Sequence, residues 1–224
     1  MLVNNKNIDI FKCRCIKFTP NSSTYKNNSI VYTCNNINPF KGMNVEELRT
    51  VETIFIFYGS KENIQKNISR FIEEIKYSIV NIGSFYYEIN IKTTSEPTVL
   101  TNNSCKLNLT FDLFNMYESE KSITINTSKT ITINSPKPCY ANLEILANTN
   151  VTEAVISIND TDITVNNIKG NETISIGSGK VLAGGKSKIE DVDIWEFPIL
   201  RPGSNTIKVN REDVNVTVKY NERW

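Results

Sequence analysis

Residues 195–210 read WEFPILRPGSNTIKVN, and the punctuation of this stretch decides the fold. Within the turn at 201–204, Pro202 presets φ near about −65° at the first central position, and Gly203 accepts the positive φ that a type II turn requires at the second. Ile207 and Val209 alternate after the turn, and Val214, Val216, Val218 and Tyr220 continue the alternation. A period of two sustained this far marks half-buried strands, so the segment is expected to be a turn within a β-sandwich. Ahead of the turn, Trp195 and Phe197 stand two apart on a strand expected over 194–200 and would face one side. That face is either core or a platform on which a sugar ring could stack.

The same punctuation recurs through the C-terminal half. Strands are expected at 141–147, 151–158, 162–165, 173–176, 194–200, 206–209 and 214–220, with no helical pattern among them, which reads as a sandwich or jelly roll. Ser135-Pro136-Lys137-Pro138 marks a boundary before it, because two prolines in three residues do not continue a central strand and stiffen a linker. The expected domains are therefore 1–135 and 136–224.

The N-terminal half reads as a β-rich α+β domain with one helix. A strand is expected at 8–18, then a polar, Asn-rich connection at 19–47 with a short strand around 30–34, then a strongly apolar strand at 51–58. A connection so long inside a compact domain is usually functional. Gly59 and Ser60 open a helix over 61–80, with Ser60 as N-cap and Ile64, Ile68, Phe71, Ile72, Ile75 and Ile79 on one stripe. Strands follow at 84–93 and 104–114, and a hairpin is expected at 121–134, with Ile123 and Ile125 on one arm and Ile131 and Ile133 on the other.

Composition narrows the function classes. The 224 residues carry 25 basic and 24 acidic side chains, a net charge of +1, which lacks the basic surplus of a nucleic-acid footprint. No apolar run approaches the roughly 20 residues that span a bilayer, and the N-terminus shows no apolar signal-peptide core. Sequons such as the one at Asn67 are read as chance in an Asn-rich chain. Five scattered cysteines, Cys13, Cys15, Cys34, Cys105 and Cys139, are expected to be free thiols. Cys13 and Cys15 share a face, but no second close pair completes a metal site.

The chain contains no histidine, so histidine-based triads and zinc sites are excluded, and no catalytic, cofactor-binding or metal-ligating residue is expected. A glycosidase would still work with two carboxylates across a cleft. The candidates are Glu73 with Glu74, Asp160 with Asp162, and Glu190 with Asp191 and Asp193, all expected to be solvated structure. Gly185-Lys186-Ser187 imitates the end of a phosphate-binding loop, but Lys180 stands where that motif needs its first glycine.

The order of features resembles the distal tail proteins of tailed bacteriophages and phage-tail-like particles. The likeness runs from IFIFYGSKENI through LNLTFDLFNMY and NSPKPCYANLEIL to FPILRPGSNTIKV. Its most specific part is Phe197-Pro198, Leu200, Pro202-Gly203 and Asn205-Thr206-Ile207, matching a closing pattern FP-x-L-x-PG-x-N-x-I. The resemblance implies a belt domain that closes into a homohexameric ring and an outward galectin-like sandwich. It implies a virion tail location after assembly in the host cytoplasm, partners in the tail tube and the tip or baseplate hub, and docked peripheral proteins such as receptor-binding proteins. The alternative class is a carbohydrate-binding adhesin using Trp195. The chain lacks the large insertions that carry sugar-binding modules in some relatives.

Overall fold

The computed structural model describes residues 1–22, 25–27, 44–46 and 48–224, which form two compact units, Met1–Met116 and Tyr117–Trp224. The strand expected around 30–34 and Cys34 lie outside the described residues. Strands dominate both units, and one α-helix occurs among the described residues.

In the first unit, strands pair in the order Lys6–Asn7, Leu2–Val3, Tyr77–Ile82, Phe85–Thr94, Ser104–Glu118, Arg49–Tyr58 and Cys13–Pro20, with Thr98–Thr101 beside Ser104–Glu118. Tyr25–Asn27 and Asn44–Glu46 pair separately as a two-stranded ribbon. The strand expected at 8–18 starts later, at Cys13, and two short strands, Leu2–Val3 and Lys6–Asn7, precede it. Residues Ile8–Phe11 form a 3-10 turn, because the Asn7 side chain accepts the Asp9 N–H at 3.1 Å and Lys12 turns left-handed at φ 50°. Cys13–Pro20 then follows, with an irregular register between Cys15 and Lys17.

The helix occupies Lys61–Ile75, with Ser60 at the N-cap position but without a side-chain capping bond. It ends five residues earlier than 61–80 implied. Ile79 fits a helical spacing from Ile75, but it also fits the alternation of Tyr77–Ile82, where Ser78 and Val80 are buried. Pairing of that strand with Phe85–Thr94 across the tight turn at Gly83, φ +63°, decides for strand. Ile79 therefore leaves the helical stripe and is 42% exposed. Ile64, Ile68, Phe71 and Ile75 bury the helix on the sheet. Phe71 is the hub, with ring centroids of Phe55, Phe57 and Phe11 at 4.7, 5.5 and 5.5 Å, all edge to face.

The second unit is a two-sheet sandwich. One sheet runs Lys121–Ile125, Val214–Tyr220, Cys139–Ala147, Thr173–Gly177, Lys180–Ala183 and Lys186–Ser187, with Ile199–Leu200 also paired to Cys139–Ala147. The other runs Ser128–Ile133, Gly203–Val209, Val151–Ile158, Thr161–Ile168 and Val192–Asp193. Their inward residues, such as Leu143, Ile145, Ile156, Ile163, Val216 and Val218, form one core. The glycines around 177–185 make hairpins. Ser178-Gly179 and Gly184-Gly185 both have paired positive φ, the signature of two-residue turns whose twist suits antiparallel strands.

Three expectations change here. Residues 121–134 are not a hairpin projecting from the first unit. Lys121–Ile125 pairs with Val214–Tyr220, whereas Ser128–Ile133 pairs with Gly203–Val209, so the chain crosses between the sheets at Asn126-Thr127. The proline stretch is consequently no linker between units, and the division falls at 116/117 rather than 135/136. Ser135 is buried, and its N–H and that of Asn134 both donate to Glu222 Oε2 at 3.0 Å. Finally, the expected strand at 194–200 shrinks to Ile199–Leu200, leaving Trp195 and Phe197 on a loop.

Candidate docking surface

The turn singled out in the sequence is held by one buried side chain. Gly203 has φ +88°, as a type II turn demands, and Asn205 is fully buried behind it. Asn205 Oδ1 accepts the Arg201 N–H at 2.8 Å, while its Nδ2 donates to the carbonyls of Arg201 at 2.7 Å and Gly203 at 3.0 Å. The space around Gly203 is open, so substitution acts through backbone strain rather than collision. Gly203→Val is expected to destabilise the second unit by about 1–3 kcal/mol, lowering its thermal transition while leaving that of the first unit in place. An unmoved calorimetric transition would refute the turn assignment.

The two aromatics ahead of the turn part company. Phe197 is half-buried against the sandwich core, whereas Trp195 is 94% exposed. The loop carrying them is anchored, because Pro198 is buried and its carbonyl accepts the Ala141 N–H at 2.9 Å. Just past Trp195, Glu196 lines a cleft of about 400 Å³ with Pro138, Tyr140, Arg201, Pro202 and Arg223. Tyr140 is 66% exposed, and the Arg223 guanidinium lies 5.6 Å from its ring centroid. Two cations and one carboxylate thus share a wall of proline and aromatic surface.

Within KPCY the one sequence signal for Tyr140 is the inward phase of Cys139, Ala141 and Leu143, which points it outward. Arg223 carried no signal at all, since its place beside Tyr140 depends on where the chain returns after its last strand.

In the first unit the sheet face opposite the helix exposes Tyr77, Ile79 and Phe114, with the Tyr77 and Phe114 rings 6.5 Å apart. Val99 and Leu100 are exposed on the short strand Thr98–Thr101.

The candidate carboxylates are placed as follows. Glu73 pairs with Lys76 at 2.7 Å. Glu74 pairs with Lys6 at 2.8 Å, and that hydrogen bond, with one from Asn4, holds its carboxyl below the ordinary range. Asp160 and Asp162 are exposed at the turn between Val151–Ile158 and Thr161–Ile168. Asp191 is committed to Lys188 at 2.8 Å and Asn167 at 2.7 Å, which lower its pKa, and Glu190 and Asp193 are exposed. Among the described residues no three His, Cys, Asp or Glu side chains gather as metal ligands.

Cys13, Cys15, Cys105 and Cys139 are free thiols. Burial pushes Cys13 up to about 12, with the neighbouring Cys15 adding to it, and pushes Cys15 up to about 11. Reducing agent is therefore expected to leave the melting profile unchanged, and native alkylation at mildly alkaline pH should spare these two sites, read by peptide mass mapping. A drop of several degrees on reduction would reveal a disulfide instead.

Residues 134–224 match the family described as siphovirus-type tail component, C-terminal domain. Among solved structures the chain is similar to SPP1 Dit (gp 19.1), described as a paradigm of the hub adsorption apparatus in phages infecting Gram-positive bacteria. That match has a TM-score of 0.79 at 10% identity and covers 100% of this chain and 98% of the other, a likeness of fold. A chain of the phage P2 baseplate in its activated conformation with Ca aligns over 93% of this chain and 90% of its own, at 13% identity. Its TM-score of 0.47 is too low to establish a common fold. No curated protein matches in sequence.

Proposed function

We propose, from the match of residues 134–224 to the siphovirus-type tail component family, that this protein is a structural subunit of the distal end of a phage or phage-like tail. In this reading the first unit closes into a ring, hexameric by the family resemblance, which joins the tail tube to the tip or baseplate. The second unit carries a docking surface for peripheral proteins. The observation that carries the reading is the agreement between the family match over 134–224 and the likeness of fold to SPP1 Dit along the whole chain.

The first unit offers what a ring requires. Closure needs heterologous contacts, one patch meeting a different patch of the next copy. Among the described residues Cys13–Pro20 lies at a sheet edge, and Tyr77, Ile79 and Phe114 are exposed. The expected projecting hairpin at 121–134 is not among these surfaces, because its strands belong to the sandwich.

Sedimentation of the purified chain tests the ring. A species near six times the 25.5 kDa chain mass, ring-shaped by negative-stain microscopy, is expected. Residues 1–116 alone should associate and 117–224 alone should stay monomeric. A chain that remains monomeric at high concentration counts against the proposal. The exposure of Trp195 favours a second reading, a sugar-binding adhesin, which a glycan array separates from the first.

A further inference from the structure

We propose that the cleft between Tyr140 and Arg201 binds a carboxylate-bearing peptide segment of a partner protein, with the exposed Trp195, next in the chain to the cleft-lining Glu196, as an apolar anchor. This deepens the docking reading of the second unit and rests on it.

Trp195 is the first observation. Leaving a large apolar ring in water forgoes the free energy of its burial, yet this one is 94% exposed on a loop anchored through Pro198. It is presented by fixed backbone rather than by a frayed end. The backbone of Arg201 is equally fixed, since Asn205 holds its N–H and its carbonyl. Pro138 and Pro202 complete rigid walls. Trp, Tyr and Arg are the residues that dominate binding energy at protein interfaces, and a preformed wall lowers the entropy lost on docking.

Charge selects the ligand. Arg201 and Arg223 line the cleft with Glu196 as the one carboxylate among the lining residues, and since Arg223 is already engaged with the Tyr140 ring, Arg201 is the guanidinium presented to a ligand. Planar guanidinium groups recognise carboxylates through paired hydrogen bonds. Glu196 repels a dense polyanion, so nucleic acid fits poorly, and a peptide bearing one or two acidic side chains fits well. The Tyr140 ring is already engaged by Arg223, which leaves a sugar only Trp195 to stack on.

The test uses the full chain. A library of short random linear peptides is selected against it, and the best binder is titrated by fluorescence anisotropy onto the wild type, Arg201→Glu and Trp195→Ala. Enriched peptides should carry Asp or Glu near an apolar residue. Their affinity should fall about tenfold or more on Arg201→Glu and several-fold on Trp195→Ala, with both variants melting as the wild type does. Enrichment without acidic residues, equal binding to Arg201→Glu, or a Trp195-dependent glycan in place of any peptide overturns the proposal. Sedimentation of Arg201→Glu is read alongside. Retained assembly with lost peptide isolates the cleft, and a chain that never assembles still reports on the cleft by titration, so the two readings fail separately.

Discussion

Glu222→Ala is expected to unfold the second unit at a temperature well below that of the wild type. Glu222 is 1% exposed, two residues from the C-terminus of the chain. One carboxylate oxygen pairs with Lys121 at 2.7 Å, and the other accepts the N–H groups of Asn134 and Ser135 at 3.0 Å each. It ties the last strand to the stretch that follows the crossing between sheets. Removing it leaves two backbone donors without their acceptor and takes one of the two carboxylate partners of Lys121, Glu118 at 3.0 Å being the other, at a cost of about 3–5 kcal/mol that falls mainly on the backbone donors. At about 4–8 °C per kcal/mol for a unit of this size, the shift exceeds ten degrees. Glu222→Gln, which keeps an acceptor but no charge, should lose less. Lys121 has its pKa raised above 10.5, first by its hydrogen bond to Glu222. Its contribution is therefore complete below that pH and fades as pH rises through the higher folded value. A melt of Glu222→Ala matching the wild type would show that this lock contributes nothing.

Phe71→Ala should have a comparable effect on the first unit and none on the second. Phe71 is fully buried and meets three other aromatic rings edge to face. Truncation loses the ring's transfer free energy and leaves a void that neighbouring strands fill only in part, at about 3–5 kcal/mol. Calorimetry should show one transition moving down while the other stays. Phe71→Leu, retaining most of the volume, should restore much of the loss. Two transitions shifting together would mean that the cores at Met1–Met116 and Tyr117–Trp224 do not melt independently.

The comparison of these two residues shows where the sequence is transparent. Phe71 announces itself, because its spacing from Ile64, Ile68 and Ile75 is helical and a stripe of that kind has only one place to go. Glu222 looks like the polar end of a chain, and nothing local distinguishes it from a solvated carboxylate. Trp195 and Phe197 show the same divide. Their spacing suggested one face of one strand, yet the backbone bends between them and sends one ring to the core and the other to solvent.

By itself the sequence determined the alternation that makes the second unit a sandwich, the Pro202-Gly203 turn, and the single stripe of the helix. These features are local, and their periods follow from backbone geometry within a few residues. Partner choice was left to the tertiary structure. Ile123 and Ile125, like Ile131 and Ile133, alternate identically whether their strands pair with each other or with separate sheets. Pairing is decided by which backbone edges lie open elsewhere, as when Thr124 and Thr217, 93 residues apart, share a hydrogen bond of 2.9 Å. The cleft at Tyr140, Arg201 and Arg223 arises in the same way. Its walls come from three distant segments that meet only because the closing strand returns beside the first strand after the prolines, and no local pattern encodes that meeting.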